Sequence, residues 1–171
     1  MKYAIISDVH SNWEALETAL EEIKKRNVKQ VVCLGDVVGY GANPCECLER
    51  VKKEAQEFIM GNHDRAVEDI ELRSYFNPDA RKAIEWTAPR LNSEEKKFIR
   101  TFREMVIHRE EDMTLTHGSI HEPEEFHYLF QEEDAEPSFE RLETHVGFFG
   151  HTHVPSLFSK RLGAGKYLPA G

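Results

Sequence analysis

Hydrophobic positions at the start of the chain come in short runs separated by helical repeats. Residues 3–7 (Tyr-Ala-Ile-Ile-Ser) form an apolar run that ends at Asp8 and predicts a buried strand. Ser11, with Glu14 three positions later, predicts a capping box that opens a helix. Trp13, Leu16, Leu20 and Ile23 then recur at helical spacing, with Glu21, Glu22, Lys24 and Lys25 on the opposite face, and the pattern stops near Asn27. Residues 30–34 (Gln-Val-Val-Cys-Leu) predict a second buried strand. Asn43-Pro44 places a cap residue before a proline at the first helical position and predicts a helix over 44–55. Residues 57–60 read as a third strand running into Gly61. Strand, helix, strand, helix, strand is the pattern of a parallel βαβαβ unit with right-handed crossovers.

The middle of the chain changes character. Asn77-Pro78 opens a predicted helix through Thr87 that Pro89 ends, and Ser93 caps another through about Arg103. With no strand pattern over about 66–105, this stretch is expected to be a helical insertion on one flank. Residues 113–116 and 146–150 are two further short strands. The intervening 121–134, rich in Glu and aromatics, is expected to be a long ordered loop, and 157–158 with 166–168 a hairpin around Gly163-Ala164-Gly165. No repeat or low-complexity linker interrupts the chain, so a single α/β domain over 1–171 is expected.

Composition narrows the class. The 171 residues are 40% apolar and 31% charged, which suits one globular domain with its own core. No apolar run approaches the ~18 residues of a membrane span. Asp8 interrupts the start too early for the apolar region of an export signal, so a cytoplasmic protein without membrane attachment is expected. A net charge of −9 argues against general nucleic-acid binding, which needs clustered basic residues, but leaves room for a small anionic substrate. Cys33, Cys45 and Cys47 are an odd set that predicts no disulfides, and Cys45-Glu-Cys47 lacks the second pair a thiolate metal site requires.

The candidate chemistry lies just after the predicted strands, at the edge where open α/β sheets bind ligands. Asp8-Val9-His10 follows the first strand, Gly35-Asp36-Val37-Val38-Gly39 the second, and Gly61-Asn62-His63-Asp64 the third. Thr116-His117-Gly118 and Gly150-His151-Thr152-His153 follow the two later strands. Residues two apart on an extended chain face the same way, so Asp8 with His10, and His151 with His153, can each converge on one point. Taken singly, each piece could be an ordinary turn. Five in sequence, each after its own strand, predict a metal centre. Oxygen and imidazole donors without thiolate suit Mn²⁺, Fe, Ni²⁺, Zn²⁺ or Mg²⁺. Seven donors are too many for one ion with an open position, and they fit two ions ~3.5–4 Å apart that share a carboxylate.

These five blocks, in this order over residues 3 to about 155, resemble the calcineurin-like metallophosphoesterase superfamily, in particular its small bacterial and archaeal phosphodiesterases. The resemblance implies a four-layer α-β-β-α sandwich of two central mixed sheets with helices outside and a dimetal site at the strand ends. Carried over, Asp8, His10 and His153 hold the first metal, Asn62, His117 and His151 the second, and Asp36 bridges them. Manganese is the expected ion. The implied activity is hydrolysis of phosphate esters, phosphodiesters foremost, by a metal-bridging hydroxide. Its alternatives are a phosphomonoesterase, a nucleotide or dinucleoside-polyphosphate hydrolase, and a non-catalytic protein-binding scaffold. Two divalent cations against two ligand carboxylates leave the site net positive, which suits a phosphate-ester anion in an acidic protein, and lower the pKa of bound water from 15.7 toward ~7.

His63, without a metal in this assignment, is expected to donate a proton to the leaving oxygen or stabilise its charge, with Asp64 orienting it. His121, four residues after His117, and Tyr40 are expected to touch the substrate. His108, His127 and His145 are expected to be ordinary solvated residues. The stretch Gly39-Tyr40-Gly41 lacks the arginine that protein phosphatases of the superfamily carry at this block, which disfavours that activity. Relatives continue past a motif like Pro169-Ala170-Gly171 into further strands. An exposed edge of the second sheet near residues 167–168, and with it a homodimer, is therefore also expected.

Overall fold

The computed structural model describes residues 2–160. The first half alternates as the hydrophobic pattern predicts: β1 (Tyr3–Ile6), α1 (Trp13–Lys25), β2 (Gln30–Cys33), α2 (Pro44–Glu54) and β3 (Glu57–Phe58). The three strands form a parallel sheet with β2 in the centre. A short helix, α3 (Asn62–Ala66), leaves β3 directly, and α4 (Pro78–Thr87) and α5 (Ser93–Ile99) follow after a 3₁₀ turn at Leu72–Tyr75. The second sheet holds β4 (Met105–His108), β5 (Met113–Thr116) and β6 (Val146–Phe148), with β5 antiparallel to β4 and parallel to β6. Between β5 and β6 lie a 3₁₀ turn at Pro123–Glu125 and α6 (Glu132–Arg141).

Strand alternation sorts the side chains into two cores. Ala4, Ile6, Val31, Cys33 and Phe58 face the helices, where Leu16, Leu20, Leu48 and Val51 meet them. Tyr3, Ile5, Val32, Leu34 and Ile59 face the other way, onto Val106, Met113, Leu115 and Phe148 of the second sheet. The far side of that sheet is covered around α6: Thr114 Oγ1 lies 2.8 Å from Thr144 Oγ1, and Ser119 Oγ 2.7 Å from Ser138 Oγ. Helix, sheet, sheet, helix is the four-layer order expected. No helix among the described residues is long and apolar enough to cross a membrane.

Several local expectations are corrected. Asn12, not Ser11, caps α1, its Oδ1 accepting from Ala15 N at 3.1 Å, while the Ser11 N–H is committed to the Val37 carbonyl at 2.9 Å. Asn92, not Ser93, caps α5 through a reciprocal box with Glu95, and α5 ends at Ile99. The supposed loop over 121–134 gives way to α6 at Glu132, where Asp134 reaches back to the backbone N–H groups of Phe130 and Gln131 at 3.0 and 3.1 Å. β4 had no predicted counterpart. Of the expected hairpin, residues 157–158 carry no strand, and 166–168 lie outside the described residues.

Candidate metal centre

The two sheets present their strand ends to one point. Asp8 N donates to the Gly35 carbonyl at 3.0 Å and His10 N to the Asp36 carbonyl at 2.8 Å, so the loops after β1 and β2 are laced together. Gly150 N donates to the His117 carbonyl at 2.8 Å and does the same for the loops after β5 and β6. The third block enters by close approach: a Cβ on Gly61 would sit 2.1 Å from Asp36 Oδ1, and only glycine permits that contact. Asp36 then accepts from His63 N at 2.8 Å. Gly39, at φ +94°, lies against the His63 ring, where a Cβ would come within 2.3 Å of Nδ1.

Six of the seven proposed ligands gather here. Asp8, His10 and His153 form one cluster of donor atoms, each within 4.8 Å of the others, and Asp36, His117 and His151 form another. His10, Asp36 and His63 make a third group at the same distance, with Asp36 common to two of the three. His153 Nε2 lies 3.2 Å from Asp8 Oδ1 and 3.0 Å from His10 Nε2, while His117 Nε2 lies 3.3 Å from Asp36 Oδ2.

Backbone carbonyls set the tautomers. His117 Nδ1 donates to the Leu34 carbonyl at 2.6 Å and His10 Nδ1 to the Val38 carbonyl at 3.2 Å. A carbonyl only accepts, so each Nδ1 carries a proton and Nε2 is the nitrogen turned toward the cluster. Asn62 Oδ1 and His117 Nε2 are buried with no hydrogen-bond partner. Buried polar atoms are rarely left unpaired. These two orphans, together with the gathered carboxylates and imidazoles, are the oxygen and nitrogen donors that suit a pair of divalent cations.

The electrostatics agree. Burial opposes ionisation of Asp36, but His117, His63 and His10 outweigh it and hold the carboxyl well below its ordinary range. Burial likewise opposes a charge on His117, yet Asp36, Asp8 and the Leu34 carbonyl push it up to about 9. Burial drives His63 and His151 down to about 4 and lowers His10 as well, so these three rings are neutral at pH 7.

Other expected residues fall differently. Asp64 Oδ1 accepts from Val37 N and Val38 N at 3.0 and 3.2 Å, bracing the loop after β2, and Oδ2 has no partner. Burial and the neighbouring Asp36 push its carboxyl up to about 8. No Asp64 hydrogen bond to His63 occurs among the described residues, and His63 Nδ1 is itself unpartnered. His121 pairs with Glu122 at 3.4 Å and stacks on His127, contacts within its own loop. Tyr40 does reach the centre, its ring centroid 4.8 Å from that of His10 and 4.7 Å from that of His63.

Two contributors had no clear sequence signal. Tyr128 stacks on His151 at 3.9 Å and 18°, and Phe126, at φ +54°, packs beside both His117 and His151. Arg65 ties that loop to α3: it pairs with Glu104, donates to the Glu124 carbonyl at 2.9 Å and lies over the Phe126 ring. An aromatic-rich stretch after a ligand histidine was the available hint, and it did not distinguish a site wall from ordinary packing.

Residues 1–167 match the calcineurin-like phosphoesterase superfamily domain. The chain belongs to that superfamily. The chain is 36% identical over 162 residues to an uncharacterized protein of Methanocaldococcus jannaschii, covering 92% of this chain and 64% of that one. The crystal structure of a metallophosphoesterase from Sphaerobacter thermophilus is similar at TM-score 0.78 and 38% identity, over 91% of this chain and 62% of that one. A hypothetical protein from Pyrococcus horikoshii OT3 shares the fold at TM-score 0.69 and 17% identity, over 91% of this chain and 71% of that one. The chain thus spans less than two thirds of the length of the first two.

Proposed function

We propose that this chain carries the catalytic centre of a dimetal-dependent hydrolase of phosphate esters, with phosphodiesters as its preferred class. The observation that supports it most is the convergence of the donor atoms of Asp8, His10 and His153, and of Asp36, His117 and His151, each group within 4.8 Å, with Asn62 Oδ1 and His117 Nε2 buried and unpartnered. Asp8, His10 and His153 would hold one divalent cation, Asn62, His117 and His151 the other, and Asp36 both. Manganese is our first choice of ion for this donor set. When bound, such a pair supplies a nucleophilic water at neutral pH and charge to hold the phosphoryl oxygens.

The remaining work falls to the chain's own groups. The neutral His63 ring still has one N–H, and we assign it to the leaving oxygen, where a hydrogen bond or proton transfer offsets developing negative charge. Asp64 keeps the loop after β2 in place, and through it Asp36. Tyr40, against His10 and His63, and Tyr128, stacked on His151, flank the centre, and these contacts support them, ahead of His121, as substrate contacts.

The test is a panel of phosphodiesters, phosphomonoesters and nucleotides, assayed with manganese-loaded protein whose metal content is measured in parallel. Phosphodiester hydrolysis is expected. His63→Ala is expected to keep the metal and lose ~10²–10⁴-fold in rate on esters with alkoxide leaving groups. The loss should be much smaller with a nitrophenolate, which needs little protonation. Loss of a metal from His63→Ala would place His63 among the ligands. A loaded protein that hydrolyses no phosphate ester would replace the hydrolase with a binding scaffold.

A further inference from the structure

The candidate centre opens onto a groove of about 790 Å³, within the ~300–1,000 Å³ of sites that take small organic ligands. Asp8, His10 and His153 line it beside the centre, and Asn12, Glu14, Tyr40, Gly41, Ala42 and Asn43 line the rest. Among the described residues no Lys or Arg lines it, and Glu14 adds a carboxylate. Its other polar groups are uncharged. Asn12 spends its Oδ1 on the cap of α1 and keeps its amide N–H groups free to donate, while the Asn43 side chain makes no capping bond. Tyr40 sits at φ +53° with nearly half of its surface exposed.

An ester phosphate at the centre would face the proposed cations, but any group further along the groove would not. A second phosphate there would meet Glu14 without a basic side chain to neutralise it, in a chain of net charge −9. Like-charge juxtaposition of this kind discriminates by repulsion. An uncharged arm with hydroxyls and a flat ring would instead find two amides and the Tyr40 ring. We propose that this groove is a subsite for an uncharged, hydrogen-bonding substrate arm of nucleoside size, and that Glu14 turns away arms bearing a second phosphate. The proposal rests on the hydrolase reading for the position of the ester phosphate, and it favours single-phosphate esters over dinucleoside polyphosphates.

Two measurements test it. In ¹⁵N–¹H spectra of the full chain, adenosine at millimolar concentration is expected to shift the amide resonances of Gly41, Ala42 and Asn43, and Ala42→Trp is expected to abolish those shifts. Kinetically, thymidine 5′-(p-nitrophenyl phosphate) is compared with the same ester carrying a 3′-phosphate. The parent is expected to prefer the first, and Glu14→Lys, at an exposed first-turn position of α1, is expected to cut that preference about tenfold. Absence of adenosine shifts in the groove would overturn the subsite, and an unchanged preference in Glu14→Lys would overturn the role of Glu14. Inactivity of the parent on both esters would count against the hydrolase reading alone, because the adenosine titration needs no turnover.

Discussion

Asp8, His10, Asp36, His151 and His153, five of the seven proposed ligands, sit at φ between 48° and 65°. The left-handed region costs an L-residue roughly 1–2 kcal/mol. Asp and His tolerate it better than bulky residues, and it persists only where the surroundings over-determine it. Here the loop-to-loop hydrogen bonds from Asp8, His10 and Ser11 to the segment after β2 supply that constraint. These turns lie in the three loops after β1, β2 and β6, and they bring the side chains back toward the strand ends. His117 is different: it sits at the end of a strand, fully buried, and is the one histidine here whose pKa is pushed up, to about 9. At pH 7 without a cation its ring is therefore protonated, and a cation that takes Nε2 must displace that proton. Metal binding at pH 7 is expected to release about one proton per chain from this site, and affinity to rise with pH up to about 9 and then level off. Calorimetry in buffers of different ionisation enthalpy measures the release. Heats independent of the buffer would remove His117 from the ligand set.

At the scale of elements, what was legible followed from how much apolar contrast each segment carries. The βαβαβ unit declared itself because β1 and β2 are apolar runs and α1 has a one-sided stripe. The five motif blocks were readable as residue types at strand ends, and their convergence on one centre followed from topology. The caps of α2 and α4 fall at Asn43 and Asn77 as expected, while those of α1 and α5 move by one residue, because the polar residue next to Ser11 and to Ser93 is also a good cap. β4 was missed because only Met105, Val106 and Ile107 precede a charged turn, too few for a clear period. α6 was missed because Pro137 stands inside it and most of its first turn is acidic, features that read as a loop. The second sheet nevertheless carries its share of the stability. Ile59, fully buried, joins Val32 and Leu34 to Val106, Met113 and Leu115 across the two sheets. Ile59→Ala keeps its backbone bond to Cys33 and leaves a cavity between them, so a loss of ~2–5 kcal/mol is expected in urea unfolding. A loss below ~1 kcal/mol would mean that the sheets do not share this core.

For the whole molecule, the question is what binding two cations does to a fold that concentrates negative charge. The chain carries a net charge of −9, and its centre draws Asp8 and Asp36 together, while Asp64 close by has its carboxyl pushed up to about 8. Without cations, the protonated His117 offsets only part of that charge, and buried carboxylates depend on such partners. The unfolded chain does not bring the seven donors together, so cations bind the folded state preferentially and stabilise it by mass action. At 100 to 1,000 times Kd the gain is ~2.7–4.1 kcal/mol for one site. For a chain of this length that corresponds to a rise in Tm of roughly 5–15 °C, at about 2–4 °C per kcal/mol. Thermal unfolding is therefore expected to shift upward as manganese is added to protein stripped with a chelator, and to keep rising with the logarithm of manganese concentration above saturation. Monovalent salt screens exposed charges but cannot enter the donor set, so an equal ionic strength of sodium chloride is expected to give only a small fraction of the shift. A Tm that is the same in chelator and in millimolar manganese would mean that the cluster is held together by its own hydrogen bonds and ion pairs, without a structural need for metal. A shift reproduced in full by sodium chloride would assign the effect to the surface charge of the whole chain.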